Sequence, residues 1–491
     1  MREITPSQLQ LGELAIDQIK INPRSRDDIP QLLRGLQYLY TDEMLRAEIF
    51  EILKALSPSN ISTLHGRPGM NWWKILIMGT LRLNLNCDYD RLQELVNEHK
   101  TIRQMLGHGF SDDEKNYSLQ TLKDNVRLFT PEILDEINQV VVNAGLKLKK
   151  KDQIMARCDS FVVETHVHYP TDINLLFDAM RKLIQLTERY ATQQNMTGWR
   201  QYQYNVRQIK QAYRKCQQLK RSSSNKEEKK KERQLLIEKA HQYYISLSEC
   251  FIQKSRLTLS HQIDNAPLNI LTLRLEIEGY IDHSIRQIEQ IKTRVLQHQA
   301  IPHNEKVFSI FQPHTEWINK GKAGVPVELG LRVCIVESSA GFILNHQVME
   351  KKVDNQIAVE LIEDTQSKFK SMSGCSFDKG FHSPANQAEL SELLDHLVLP
   401  KKGRRNKKET EREKDPAFKT SKRKHSAVES GINALEIHGL DVCPDHGIAG
   451  FKRYVALAVV ARNIQKLGSE LIKKEYEKIK RQSKYAFLLA A

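Results

Sequence analysis

The stretch IMARCDSFVVE, residues 154–164, decides how this sequence folds. It follows a long region whose apolar residues recur at helical spacing, and its own residues are mostly strand formers. One acid, Asp159, lies in the middle of this apolar strand, where an unpaired charge is costly to bury. The residue types leave two interpretations open: a functional carboxylate, or a buried ion pair with Arg157, which faces the same side of the strand.

Further strand patterns appear only after a long helical region. Residues 327–335 alternate apolar and polar positions with period two, and shorter strands are predicted at 342–349, 372–377 and 396–399. Helices are predicted between and after them at 354–369, 384–394, 425–438 and 449–481. Without the helical region, the order is β-β-β-α-β-α-β-α, which is the order of a ribonuclease H fold. In that order the first and fourth strands are parallel neighbours, so Asp159 would meet Asp378 at the end of the fourth.

The predicted fold class is therefore α+β and helix-rich. It has a ribonuclease H-like catalytic core, an all-α insertion and an all-α N-terminal DNA-binding region. The predicted boundaries are 1–150 for the N-terminal region, 151–172 and 305–467 for the core, 173–304 for the insertion and 468–491 for a C-terminal helical tail. In the N-terminal region, short helices with Asp88 and Ser118 as N-caps suit a helix-turn-helix-like module. A helical scaffold without DNA contact fits the same pattern equally well.

The composition favours a polyanionic partner. Lys and Arg number 74 against 60 acids, which gives a formal net charge of +14 and a pI near 9.2. No apolar run is long enough for a membrane span, and the seven cysteines form no CxxC pair, so a disulfide framework or zinc ribbon is not expected. We expect a cytoplasmic protein that binds nucleic acid. Residues 401–425 carry 12 basic against 4 acidic residues, which favours a flap over bound DNA above a disordered loop.

Four blocks resemble insertion-sequence transposases of the DDE superfamily, most closely the ISNCY group of bacterial elements. The N-terminal block, residues 66–99, is GRPGMNWWKILIMGTLRLNLNCDYDRLQELVNEH. The first-aspartate block, 159–176, is DSFVVETHVHYPTDINLL, and the second, 377–383, is FDKGFHS. The glutamate-helix block, 424–468, is KHSAVESGINALEIHGLDVCPDHGIAGFKRYVALAVVARNIQKLG. The resemblance extends over nearly the whole chain, and the blocks follow one another in order.

The resemblance implies that Asp159, Asp378 and Glu429 are the catalytic and metal-binding triad. Two Mg²⁺ ions are expected, with Mn²⁺ able to substitute, because hard carboxylate oxygens suit both cations and a cation pair can serve phosphodiester chemistry. Taken alone, Asp378 fits a turn-forming residue equally well, and Glu429 fits an ordinary exposed helix residue. Related families carry Tyr and Arg before the glutamate and Lys after it. Here His425 and Glu436 occupy two of these positions, so Arg423 and Lys424 are candidates for the missing contacts.

The implied partner is double-stranded DNA, namely the terminal inverted repeats of the element and the target DNA. The resemblance also implies that a homodimer holds this DNA. The implied location is the bacterial cytoplasm, in association with the nucleoid and not with a membrane. The implied activity is strand cleavage followed by joining of the freed 3′-hydroxyl to target DNA. Two alternatives stay open: a domesticated DNA-binding regulator without cleavage, and a structure-specific nuclease on the same core. Candidate DNA contacts are Arg67, Lys74, Arg82, Arg91, Lys320, Lys322, Lys379, Arg404, Arg405, Arg423 and Lys424.

Overall fold

The chain forms two compact units, one of Met1–His166 with Glu316–Ala491 and the other of Val167–Thr315. The computed structural model describes residues 3–5, 9, 12–56, 69–109, 116–150, 153–220, 226–260, 267–319 and 326–490. Arg67, Lys320 and Lys322, three of the candidate DNA contacts, lie outside the described residues.

Helices of the N-terminal region begin at residues that can cap them. The side chains of Asp88 and Ser118 accept backbone N–H groups of the helices they precede, as predicted. Asp42 ends one helix and caps the next, so residues 28–54 form two helices. The helices described here are α1 (Asp28–Thr41), α2 (Glu43–Lys54), α3 (Trp72–Asn84), α4 (Tyr89–Glu98), α5 (Lys100–Met105), α6 (Leu119–Val126) and α7 (Pro131–Lys149).

A mixed sheet lies at the centre of the first unit, and with the many helices it agrees with the predicted α+β class. Its strands are β1 (Ile154–Thr165), β2 (Glu316–Asn319), β3 (Val327–Ser338), β4 (Ile343–Met349), β5 (Met372–Phe377), β6 (His396–Val398) and β7 (Val442–Cys443). The order is β2-β3-β1-β5-β6, with β4 also on β3 and β7 also on β1. β1 is antiparallel to β3 and parallel to β5, so the predicted parallel neighbours are present.

The second unit is a helical bundle with its own apolar core. Its helices are α8 (Asp172–Gln193), α9 (Tyr202–Lys220), α10 (Glu227–Leu259) and α11 (Leu268–Ile291). Tyr190, Trp199 and Tyr244 are among the large side chains that its core buries. These four helices agree with the all-α insertion that the sequence predicts over residues 173–304.

The chain leaves the first unit after β1 and returns to it at β2, and both strands pair with the same residue of β3. Gly330 of β3 pairs with Glu164 of β1 on one side and with Glu316 of β2 on the other. The chain therefore leaves the sheet and returns to it two strand spacings apart, roughly 10 Å. A Cβ at position 330 would overlap the carbonyl oxygen of Val163, so only glycine fits there.

The rest of the first unit is helical and is built on its last helix. The later helices are α12 (Asp354–Lys368), α13 (Pro384–Leu393), α14 (Lys407–Lys414), α15 (Pro416–His425), α16 (Ala427–Leu435) and α17 (Gly447–Ala490). Every residue from 454 to 461 of α17 is buried, and this helix packs against α1, α3, α7 and β4. The helices of residues 1–150 thus share one apolar core with the sheet. No helix in the described part of the chain is long and apolar enough to cross a membrane.

Segment 401–425 is not the disordered loop that was the alternative to a flap over bound DNA. It contains α14 and α15, and Phe418 of α15 is 7% exposed. Two ion pairs, Lys401 with Glu409 and Arg405 with Glu413, hold α14 against the chain that precedes it. Local ion pairs and one buried ring are enough to order a strongly charged segment, and composition alone does not reveal them.

The crossing of α1 and α17 gives a test of this packing. Gly468 lies so close to α1 that a Cβ would overlap the carbonyl oxygen of Gln31. We expect Gly468→Ala to destabilise the first unit by about 2 kcal/mol, because neither helix backbone can yield locally. The measurement is urea unfolding of the full chain.

A matched control lies in the other unit. A Cβ on Gly279 of α11 would meet nothing within 4 Å, so Gly279→Ala should stabilise its helix by roughly 0.5–1 kcal/mol. Equal unfolding curves for Gly468→Ala and the wild type would contradict the close helix crossing.

Candidate active site

Strand register brings the two predicted aspartates together. Cys158 of β1 pairs with Phe377 of β5 in parallel register, so Asp159 and Asp378 follow as the next residues of neighbouring strands. Asp159 is partly buried, whereas the side chain of Asp378 is exposed at the end of β5. This adjacency is the geometry that the strand order predicted.

The alternative interpretation of Asp159, an ion pair with Arg157, is wrong. Arg157 pairs instead with Glu337, its direct neighbour on β3, at 3.3 Å between Nη1 and Oε2. The Asp159 carboxylate accepts the backbone N–H of Ser160 at 2.8 Å. Among the described residues, no cation forms an ion pair with it. A buried charge without a countercharge is costly, which favours a functional role.

Electrostatics identify four carboxylates around this point. Burial raises the pKa of Asp159 to about 6. The N–H of Ser160 opposes this shift, and the carboxylates of Asp378, Asp354 and Glu429 add to it. The three predicted triad residues are therefore close enough to interact electrostatically, and Asp354 is a fourth acid with the same effect on Asp159.

Asp354, the first residue of α12, is the site residue that the sequence did not reveal. The hydroxyl of Ser160 donates to its Oδ1 at 2.7 Å. A Cβ on Gly380, two residues after Asp378, would lie 2.8 Å from its Oδ2. Asp354 thus lies between the segments that carry Asp159 and Asp378. In the sequence it looks like an ordinary acid in the first turn of a helix, where acids are common.

Glu429 reaches the site on α16, which packs against β1. Its side chain is exposed. Gly431, two residues later, allows the close approach of this helix, because a Cβ there would lie 2.6 Å from Oε1 of Glu337. Burial raises the pKa of Glu337, and Arg157, Arg462 and Lys466 oppose that shift. A largely buried charge network thus lies directly under the helix that carries Glu429.

His425 ties α15 to the strand that carries Asp378. Its Nδ1 lies 3.0 Å from Oγ of Ser376 on β5. Burial lowers the pKa of His425 below its usual value, and the nearby Asp378 opposes this shift. The imidazole is therefore neutral at neutral pH and cannot supply the positive charge that an arginine at this position would give.

The donor set suits a hard divalent cation. Four carboxylates with no ion pair among the described residues present oxygen ligands and unneutralised negative charge, and both features favour Mg²⁺ or Mn²⁺. In the described part of the chain, no three His, Cys, Asp or Glu side chains are close enough as they stand to hold a metal ion. Asp378 and Glu429 are exposed and can turn toward the other two carboxylates.

The prediction that Arg82 contacts DNA is wrong, because this side chain is buried. It is 4% exposed, its Nη2 pairs with Oδ1 of Asp445 at 2.9 Å, and its guanidinium lies over the rings of Tyr89 and Tyr454. A phosphate cannot reach it without disrupting this cluster. Arg82 instead joins α3 to the segment before α17.

The other candidates divide into two groups. Lys74 is partly buried, and Arg91 on α4 forms an ion pair with Glu94. The exposed residues of α4 also include Asp90 and Glu98, so this face is not basic. In contrast, Lys379, Arg404, Arg405, Arg423 and Lys424 are all exposed, and of these only Arg405 forms a described ion pair.

The site thus joins carboxylates that can hold cations to a basic surface on α14 and α15. No protein-family model, curated protein or solved structure matches this chain. The chemistry is therefore argued from the residues themselves. Carboxylates of this kind are suitable ligands for divalent cations, and exposed basic residues are suitable contacts for phosphates. Among the described residues, no cation forms an ion pair with these acids.

The raised pKa of Asp159 gives a pH-dependent stability. Between pH 4 and 6 the folded protein keeps a proton on Asp159 that the unfolded chain has lost, so stability falls as the pH rises through this window. Asp159→Asn removes that loss. In the presence of EDTA, we expect the variant to gain on the order of 1–3 kcal/mol relative to wild type between pH 4 and 7.

Urea unfolding of both proteins at pH 4.5 and pH 7 measures this gain. Glu363→Gln on α12 is the control, because it removes an exposed acid and should show no such pH-dependent gain. If the free energy of unfolding of Asp159→Asn differs from that of the wild type by the same amount at both pH values, the pKa of Asp159 is not raised in the folded protein.

Proposed function

We propose that this protein is a DNA transposase of the DDE type. It would bind the ends of its insertion sequence, cleave phosphodiester bonds there and join the freed 3′-hydroxyl to target DNA. The observation that carries the proposal is the parallel register that makes Asp159 and Asp378 neighbours, with Glu429 close enough to raise the pKa of Asp159.

The sheet supports the proposal at the level of the fold. The path β4-β3-β1-β5-β6 is antiparallel up to β1 and parallel after it. This is the order expected of a ribonuclease H-like core, in which the site lies at the carboxyl end of the central parallel strands. The two remaining strands, β2 and β7, extend the sheet at its margins.

In the proposed reaction the acids bind cations and orient the phosphate. Asp159, Asp378 and Glu429 would hold two Mg²⁺ ions, which when bound help to ionise the attacking oxygen and stabilise the leaving one. Asp159 is fixed by its strand and by the N–H of Ser160, so it defines the position of the site. Asp378 and Glu429, which are exposed, adjust to the scissile phosphate.

DNA would lie along the basic surface of α14 and α15. The exposed cations of this segment without a described ion pair are Lys402, Arg404, Lys407, Lys408, Lys414, Lys419, Lys422, Arg423 and Lys424. The last three lie in the final turn of α15, just before the helix that carries Glu429. A backbone held there passes the acids, and Lys379 adds a cation beside Asp378.

Recognition of the element ends stays assigned to residues 1–150, and a homodimer would pair two ends. The structure limits which surfaces can do this. α3 is buried almost throughout, and the exposed residues of α4 are mostly acidic. A helix that reads a DNA groove is therefore not expected between residues 72 and 98.

A structure-specific nuclease is a second candidate, and that same burial of α3 favours it. A nuclease needs the acids and the basic surface but no sequence-reading helix. The two functions differ in their product, because only a transposase joins the freed 3′-hydroxyl to a second duplex. A DNA-binding regulator without cleavage has no need for a group of carboxylates that no described cation neutralises. The structure therefore gives no support to that alternative.

Cleavage assays with Mg²⁺ and duplex DNA that carries the sequences flanking the coding region test the proposal. We expect Asp159→Asn, Asp378→Asn and Glu429→Gln each to lower cleavage at least about 100-fold, since each removes a charge on which the transition state depends. DNA binding should persist in all three. Glu363→Gln is the matched control and should cleave normally.

The products decide between the two candidates. Joined DNA from the wild type supports a transposase, whereas nicking without joining supports the nuclease. Cleavage that survives unchanged in Asp159→Asn would rule out this site for either function.

The basic surface gives an independent test. Replacing Lys422, Arg423 and Lys424 by Gln should flatten the dependence of DNA affinity on salt, because each lost phosphate contact lowers the slope by roughly 0.9. The control replaces Lys229, Lys230 and Lys231 of α10 by Gln, an equal change of net charge in the other unit. Fluorescence anisotropy between 50 and 300 mM salt measures both slopes. Equal slopes for the two triple variants would contradict a DNA path along α15.

A further inference from the structure

We propose that Asp354 is a fourth carboxylate of the cation site. The inference rests on the proposed function and deepens it. It assigns to the start of α12 a ligand that the resemblance to DDE transposases does not supply. The cation site would then contain Asp159 and Asp378 together with two further acids, Glu429 and Asp354, which lie on different helices.

The strand geometry shows that these two helices approach from opposite faces of β1. Successive side chains of a strand point to opposite faces. Asp159 lies on the same face as Arg157, whose partner Glu337 packs under Gly431 of α16. Ser160 lies on the other face, and its hydroxyl donates to Asp354. The two helices therefore approach β1 from opposite faces, with Glu429 on one helix and Asp354 on the other. Both acids lie close enough to Asp159 to raise its pKa.

Capping of α12 does not explain Asp354. The residue before the helix is Val353, and its N–H donates to Oε1 of Gln356 at 2.9 Å. This end of the helix is thus served by a glutamine, while Asp354 turns away toward Ser160. Among the described residues no basic group forms an ion pair with Asp354.

The surroundings of Asp354 leave one oxygen available. Ser160 occupies Oδ1 at 2.7 Å, and Oδ2 faces Gly380. A Cβ on Gly380 would lie 2.8 Å from Oδ2 and would fill the space beside it. Glycine therefore allows the turn that follows Asp378 to pack closely against Asp354. Ser160 acts as a positioning residue, since its hydrogen bond fixes which oxygen faces that turn.

Binding of Mn²⁺ to the full-length protein without DNA tests the inference independently of cleavage. Titration followed by electron paramagnetic resonance compares the wild type with Asp354→Asn, Asp159→Asn, Ser160→Ala and Glu363→Gln. We expect Asp354→Asn and Asp159→Asn to weaken Mn²⁺ binding at least tenfold. Ser160→Ala should weaken it less, and Glu363→Gln, an acid of the same helix, should not change it.

A thermal melt separates ligation from a structural role. Asparagine still accepts the Ser160 hydrogen bond and removes a like charge, so metal-free Asp354→Asn should melt at or above the wild-type temperature. Its melting temperature should no longer rise with Mn²⁺. A lower metal-free melting temperature would make Asp354 a structural residue and overturn the inference.

The outcomes also distinguish this inference from the proposed function. If Asp354→Asn binds Mn²⁺ like Glu363→Gln while Asp159→Asn does not, Asp354 is outside the site and the proposed function stands. If the wild type binds no Mn²⁺ at millimolar concentration, both the fourth ligand and the cation-dependent function are overturned.

Discussion

The parallel pairing of β1 with β5 is the constraint on which the rest of the site depends. Its hydrogen bonds and the buried side chains of Cys158 and Phe377 fix two neighbouring strand ends. The next residues, Asp159 and Asp378, are then about one strand spacing apart, and two carboxylates at that distance repel by on the order of 1–3 kcal/mol. The sheet supplies the free energy that holds like charges together, and the helices α12 and α16 bring two more acids close enough to raise the pKa of Asp159.

Much of this arrangement could be predicted from the sequence, because strands of alternating or apolar residues carry a strong signal. The strand with Asp159, the strand that ends before Asp378 and their parallel adjacency followed from strand order alone. β2 and β7 escaped because four and two residues are too few to show a period. Asp354 could not be predicted because its contacts with Ser160 and Gly380 join segments that are apart in the sequence.

The N-terminal region shows a different limit of prediction. The pattern of α3, WWKILIMGTLRLN, is apolar on nearly every side, which is typical of a helix buried all round. Amphipathic spacing indicates that α1 and α7 bury one face, but it does not name α17, more than 300 residues later, as the partner. Arg82 was placed among DNA contacts for its charge, whereas its location on this buried helix requires the pair with Asp445.

Gly330, with Glu164 on one side and Glu316 on the other, has a consequence for how the protein is made. During synthesis β1 emerges before about 160 residues that precede β3, a delay of roughly 8–30 s at ribosomal rates. The helices in between pack on one another, and helical bundles can fold within that time. If the bundle forms first, pairing of the strands on either side of it no longer has to close a flexible loop of 149 residues. The entropic cost of that closure, roughly 4 kcal/mol, is then avoided when the sheet forms. The insertion then acts as an internal scaffold for the assembly of the sheet.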